Sequence, residues 1–349
     1  MLVPPGAPSH GREERKVALT RLDHFMAAAN ETYYATRDPF ADFTTAPEIS
    51  QVFGELLGLW AAETWRLIGR PNPVLLAEAG PGRGTLMADA LAAIRAVAGD
   101  FAAAHRLHLI ETSPRLRAIQ AEKLPDATWH DDLALLPPGP VILLANEFLD
   151  ALPIRQFVRR GAGWSERYVA DGAWAELPCT DPPRRLAEIA PADPGDGVVV
   201  ELGEAALDWV SALAARIAQE GGAALLIDYG PALAAPGESL QAIRDRRPAA
   251  LLPDPGSADL TAHVAFSLLI AAAGKAGAKT FGPLPQGILL ARLGLFQRTG
   301  RLARTQAPDR AAALIAAAQR LAEPDRMGAL FKAIAIMHPA APTPPGFEP

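Results

Sequence analysis

Gly80, Gly82 and Gly84 sit at alternate positions directly after an apolar run that ends in an acid, Glu78, in the stretch LLAEAGPGRGTLM. Glycines spaced this way let a backbone lie against a ligand without Cβ clashes. Phosphate, dinucleotide and sulfonium ligands each use that freedom differently. A dinucleotide fingerprint needs its third glycine at position 85, where Thr85 stands. A P-loop ends in Gly-Lys-Ser/Thr, and no lysine lies near. The acid-x-Gly-x-Gly-x-Gly turn that binds S-adenosylmethionine (SAM) remains. SAM carries no phosphate, so the glycines and Thr85 are expected to lie along its sugar and methionine parts, and Glu78 to orient its ammonium group.

Two more acids complete the pattern. Glu111 ends the run HLIE and is placed for both ribose hydroxyls; Asp131 follows TWH and is placed for the adenine amino group. Acids at the carboxyl ends of successive strands stand where an open α/β sheet builds its crevice.

The elements that must hold these residues are legible too. From residue 73 the runs PVLLAEAG, RLHLIET, ATWHD and GPVILLANEF read as strands, with helices over 84–97 and 113–122. GGAALLIDYG is a fifth strand after a helix over 203–220, and AKTFGPLPQG and LFKAIAIMH are the sixth and seventh. Apolar runs that do not alternate, separated by amphipathic helices, predict a parallel sheet covered on both faces. Ahead of it, residues 14–30 and 46–69 read as helices, the second opened by a capping box of Thr45 and Glu48 with Pro47 in the first turn. Residues 155–200 break the pattern with short alternating segments set between Gly and Pro, which predict a β-rich insertion. A helix is expected from Asp259 or Thr261, and the proline-rich last residues read as a free tail.

Composition narrows the classes. The 349 residues are half hydrophobic, and the formal net charge of −6 argues against nucleic acid as the main partner. Cys179 is the only cysteine, which excludes a disulfide framework, a thiolate zinc site or an iron–sulfur cluster within one chain. The seven histidines are scattered, and only His105 and His108 lie close together, so no metal site is expected. No apolar run approaches the roughly 20 residues of a membrane span. The N-terminus lacks a secretory apolar region, and the alanine-rich, lysine-poor text reads as a GC-rich genome's, so the expected address is a bacterial cytoplasm.

Six longer motifs recur in this order in one family: DFTTAPEISQVFGELLGLW (42–60), EAGPGRGTLMADAL (78–91), NEFLDALPIRQF (146–157), LLIDYG (225–230), DPGSADLTAHV (254–264) and MGALFKAIAI (327–336). The chain resembles the MidA-like methyltransferases, whose mitochondrial members are assembly factors for respiratory complex I. The resemblance runs from about residue 20 to 337. It implies a class I SAM-dependent methyltransferase, a Rossmann-like α/β fold with a mostly parallel seven-stranded sheet, an N-terminal helical extension and an inserted β-rich subdomain. The expected divisions are an extension or lid over 1–70, a methyltransferase domain over 71–340 interrupted by 155–200, and a flexible tail over 341–349. It also implies SAM as cofactor and protein arginine methylation, the acceptor being the 49-kDa-type subunit of complex I. Three positions depart from the family: Ala41 stands for a glycine, Ala265 for an acid and Asp245 for a histidine.

Methyl transfer is an in-line displacement, so the protein mainly aligns acceptor nitrogen, methyl carbon and sulfur. A guanidinium stays protonated, and carboxylates must hold it and favour charge at the attacking nitrogen. Asn146 and Glu147 end the fourth strand, Asp228 ends the fifth, and Glu48 lies in the N-terminal block; these are the catalytic candidates. Each has a plainer role. Glu48 reads first as the capping partner of Thr45, Asp228 with Tyr229 as a strand-end turn, and Asp150 as a turn cap. His263, on a predicted helix, reads first as a hydrogen-bonded structural residue, and Asp259 as an N-cap. Trp129 and Phe148 flank the adenine or belong to the core. Two other functions stay open: a methyltransferase with another protein or small-molecule acceptor, and a catalytically weak, chaperone-like SAM-binding assembly factor. Oligomeric state stays open as well.

Overall fold

The computed structural model describes residues 19–348. The apolar runs become Val74–Ala79 (β1), His105–Ile110 (β2), Thr128–His130 (β3), Val141–Asn146 (β4), Gly222–Tyr229 (β5), Lys279–Pro285 (β6) and Phe331–Met337 (β7). They form one sheet in the order β6-β7-β5-β4-β1-β2-β3. β1 to β5 run parallel, and β7 is antiparallel to both its neighbours. This is the mostly parallel, Rossmann-like seven-stranded sheet that the family resemblance implies. The chain builds β2 and β3 on one side of β1, then β4 and β5 on the other. The switch point therefore lies between β1 and β4, where open α/β sheets take ligands at the strands' carboxyl ends.

Alternate residues of each strand feed opposite faces, Leu76 and Ile142 one core, Leu75 and Leu143 the other. The N-terminal extension is helical. Leu22–Thr36 (α1) runs past the expected end at residue 30, and residues 14–18 of that expectation lie outside the described residues. The helix expected over 46–69 divides into Ala46–Ile49 (α2) and Gln51–Leu67 (α3). Ser50 between them is extended (φ −155°, ψ 126°), and its hydroxyl accepts from the Val52 N–H at 3.3 Å as the cap of α3. Thr45 makes no side-chain cap bond, so the capping box does not form; Glu48 has a stronger partner elsewhere.

α3 packs on Thr85–Val97 (α4) at backbone contact. A Cβ on Gly58 would stand 2.6 Å from the Cα of Ala90, and one on Gly54 2.7 Å from the Cβ of Asp89. Pro114–Lys123 (α5) follows β2. Glu204–Glu220 (α6) and Phe266–Lys275 (α7) cover the second face, with Leu207, Val210, Leu213 and Ile217 turned inward.

The insertion folds as antiparallel strands Arg155–Arg160, Gly163–Ala170, Ala173–Cys179 and Val199–Leu202, joined by Leu19–Arg21 from the N-terminal side. Three sequence expectations fail downstream. Asp259–Thr261 is a strand, with Asp259 opposite Ile243, and the helix starts only at Phe266, so Asp259 caps nothing. His263 therefore lies in an exposed connection, its N–H donating to Ser239 Oγ at 2.8 Å. The segment 341–348 is no free tail: Phe347 packs on the core, and Arg292 donates to the carbonyls of Gly346 and Glu348 at 3.1 and 2.8 Å. A half-buried aromatic packed on the core outweighs the proline-rich composition there.

Candidate active site

The turn after β1 is left-handed three times, with φ of +63°, +53° and +71° at Gly80, Gly82 and Gly84. Side chains are strained there, and space forbids two of them as well. A Cβ on Gly80 would meet Phe148 Cδ2 at 2.8 Å, and one on Gly82 would meet Phe40 Cζ at 2.8 Å. Gly80, Gly82 and Thr85 line a cavity of about 600 Å3 at the switch point. Gly84 does not line it; its carbonyl instead accepts the Ala88 N–H at 3.0 Å and starts α4.

Glu78, Glu111 and Asp131 all line this cavity. Glu78 is 3% exposed and its Oε2 has no hydrogen-bond partner. Burial, and then the charge of Glu111, push its pKa up to about 8. Such a group awaits a cation. Glu111 accepts from the Ser113 N–H at 2.8 Å and from Gln120 Nε2 at 3.2 Å, and burial raises its pKa. Asp131 stands at the exposed rim, ion-paired to Arg117 at 2.6 Å. These residues fit SAM: an orphaned carboxylate oxygen for an ammonium, a backbone held free of Cβ atoms, and a second buried carboxylate one strand further along.

The opposite wall carries Asn146 and Glu147. Glu147 is left-handed (φ +51°), a strained conformation of the kind found at functional sites. Its Oε1 accepts from the Ala46 N–H and from Asn146 Nδ2, each at 3.1 Å. Burial, and next the charge of Asp150, push its pKa up to about 7. Asn146 is buried, and its Oδ1 has no partner. Glu48 also lines the cavity, but its Oε1 is engaged by the Thr85 hydroxyl at 2.6 Å. Asp228 does not reach the cavity. Its Oδ2 accepts the N–H groups of Leu149 and Asp150 at 2.9 and 3.2 Å, and its Oδ1 that of Tyr229 at 2.8 Å. It pins the turn that follows β4 and does not face the cavity, contrary to the catalytic role expected for it.

Tyr34, Phe40, Arg83 and Trp209 line the cavity and gave no sequence signal. Asp38 pairs with Arg83 at 2.5 Å, and the Arg83 guanidinium lies 4.4 Å from the Phe40 ring centre. The segment 38–49 is thereby laid over the glycine turn. Tyr34 lines the cavity and donates its hydroxyl to Asp259 Oδ1 at 2.9 Å. Phe148 and Trp209 line it together, ring centres 4.9 Å apart. Trp129 does not; its Nε1 donates to Gln120 Oε1 at 2.8 Å. His108 bonds His130 across β2 and β3 at 2.9 Å. Among the described residues no group of three or more His, Cys, Asp or Glu is placed to hold a metal ion, and no helix is long and apolar enough to cross a membrane.

Comparison with known proteins agrees with this geometry. A sequence model of S-adenosyl-L-methionine-dependent methyltransferases matches residues 56–284. The chain is 33% identical to the mitochondrial protein arginine methyltransferase NDUFAF7 of Danio rerio, over 88% of this chain and 80% of that protein. Against the Homo sapiens protein of the same name the identity is 32%, over 87% and 76%. A Burkholderia thailandensis protein bound to S-adenosyl-homocysteine superposes with a TM-score of 0.78 at 27% identity, covering 94% of this chain and 90% of that one. The named relatives are mitochondrial proteins, which overturns the expected bacterial cytoplasmic address. That expectation rested on the N-terminal residues, and 1–18 lie outside the described residues.

Proposed function

The chain belongs to the family of S-adenosyl-L-methionine-dependent methyltransferases, and we propose that it methylates an arginine side chain of a protein, the 49-kDa-type subunit of NADH:quinone oxidoreductase. SAM is its cofactor and, when bound, supplies an electrophilic methyl group on a sulfonium. Glu78 takes the ammonium, the backbone at Gly80 and Gly82 lies along the ligand with Gly84 shaping the turn, Glu111 takes the ribose hydroxyls, and Asp131 serves the adenine edge. Thr85 and Glu48 act together, closing the segment 38–49 as a lid. The extension over 1–70 is read as carrying that lid, 71–340 as the catalytic domain, and 155–200 as its insertion.

One observation carries the reading. Glu78 Oε2 and Asn146 Oδ1, on the two strands flanking the switch point, are both buried, both without partners, and both belong to residues lining one cavity. The first suits an ammonium, and the second suits an N–H donor beside it. Asn146 and Glu147 together hold a guanidinium in line, since a charge-assisted pair fixes a planar donor better than a neutral one. Glu147, poised near pH 7, receives the proton that the nitrogen sheds as its new bond to carbon forms. The arginine is supported by the names of the relatives, and the complex I subunit by the family resemblance.

The test is transfer from methyl-labelled SAM to the recombinant subunit, read by peptide mass spectrometry. Label on an arginine upholds the reading. Label that reaches only another protein or a small metabolite refutes the acceptor, and no label anywhere in a whole-extract screen refutes the catalytic reading.

A further inference from the structure

Tyr34 has no part in the reading above, yet it lines the same cavity as Asn146 and Glu147. Its ring is fixed from two directions. The hydroxyl donates to Asp259 Oδ1 at 2.9 Å, and the Tyr33 ring meets it at 5.2 Å and 82°. Asp259 is 4% exposed, and it stands close enough to Asp150 and Glu147 for both to raise its pKa. Asp150, also buried, keeps its Oδ1 without a partner. Buried acids thus gather behind the Tyr34 hydroxyl. The cations near the donor half are already engaged, Arg83 with Asp38 and Arg117 with Asp131. The unpartnered, buried Oδ1 of Asn146, which lines the same cavity, is a place for an N–H donor.

We propose that Tyr34, held through its hydroxyl by Asp259, is the wall on which the planar cation of the acceptor lies, with its N–H groups directed to Asn146 Oδ1 and Glu147. The proposal rests on the arginine reading and adds a positioning residue to it. A delocalised cation on an aromatic face gains from the ring quadrupole, and a ring that cannot rotate away sets the plane of the guanidinium. Asp259 touches no ligand and acts through Tyr34.

The experiment uses the full chain with SAM and the recombinant acceptor subunit. Tyr34→Ala and Tyr34→Phe are compared with wild type for acceptor KM, kcat and the Kd of SAM by calorimetry. Tyr34→Ala is expected to raise acceptor KM roughly tenfold while the SAM Kd stays within about twofold. Tyr34→Phe keeps the ring and loses only its tether, so an intermediate rise is expected. The proposal is overturned if acceptor KM does not move, or if SAM binding weakens as much as acceptor binding does. If wild type labels no arginine at all, the arginine reading falls and takes this proposal with it. If wild type labels arginine and the variants match it, only Tyr34 is misassigned.

Discussion

The hydroxyl of Thr85 donates to Oε1 of Glu48 at 2.6 Å, so the first residue of α4 is tied to a helix 37 positions earlier. Lys123 Nζ donates to the same hydroxyl at 2.9 Å, bringing α5 to the junction. Glu48 is thus a latch. Glu48→Ala and Thr85→Val are each expected to raise the SAM Kd roughly tenfold, the scale of one hydrogen bond to a charged group. With SAM saturating, kcat should stay within about threefold of wild type. A collapse of kcat at unchanged Kd would return Glu48 to the catalytic residues.

Gly82 combines φ of +53° with the Phe40 ring where a Cβ would go. Gly82→Val is expected to abolish SAM binding by calorimetry and leave far-ultraviolet circular dichroism unchanged, since the turn lies outside the sheet. SAM binding at wild-type strength would show that the close backbone approach is unnecessary.

Glu78 yields a prediction with a definite sign. Its pKa is about 8 in the folded protein against an ordinary 4.5. Below 4.5 both folded and unfolded chains hold the proton; from 4.5 to 8 only the folded one does. The free protein therefore loses stability as pH rises through that window. Glu78→Gln should lack this loss, so its Tm should exceed wild type by a gap that widens toward pH 8, on the order of several degrees. The same variant should bind SAM at least about tenfold more weakly, through the lost ammonium contact. Parallel Tm curves from pH 5 to 8 would contradict the buried, uncompensated carboxyl.

Asp228 accepts three backbone N–H groups. Asp228→Ala should cost about 2–4 kcal/mol in denaturant unfolding, because buried donors are left unpaired. It should lower kcat through a displaced Glu147. An inactive variant of wild-type stability would make Asp228 a chemical participant.

What could be read in the sequence follows from the range of each interaction. β1, β2, β4 and β5 are apolar runs long enough to be buried on both faces, and Glu78 and Glu111 stand at fixed offsets from them, so local text located the donor half. The rest depends on contacts between distant residues. Tyr34 meets Asp259 across 225 positions, and Ala46 meets Glu147 across 101. No spacing rule connects such pairs. Local rules misassigned two acids for the same reason: Glu48 and Asp259 had the right neighbours for capping, but a tertiary partner took each. The capping signal at Ser50 was also present and was masked by the stronger-looking Thr45.

The Ala46 N–H is held by the carboxylate oxygen of Glu147 that also binds Asn146. One consequence concerns the pace of the enzyme. On the proposed lid reading, spent donor leaves only after the ties of Ala46, Glu48 and Asp38 have parted, and each departure disarranges the groups proposed to hold the acceptor. Opening, rather than bond making, is then expected to set the steady rate. Rapid-mixing experiments should record a burst of one methyl group per chain followed by a slower phase; a linear course from the first turnover would assign the slow step to the chemistry itself.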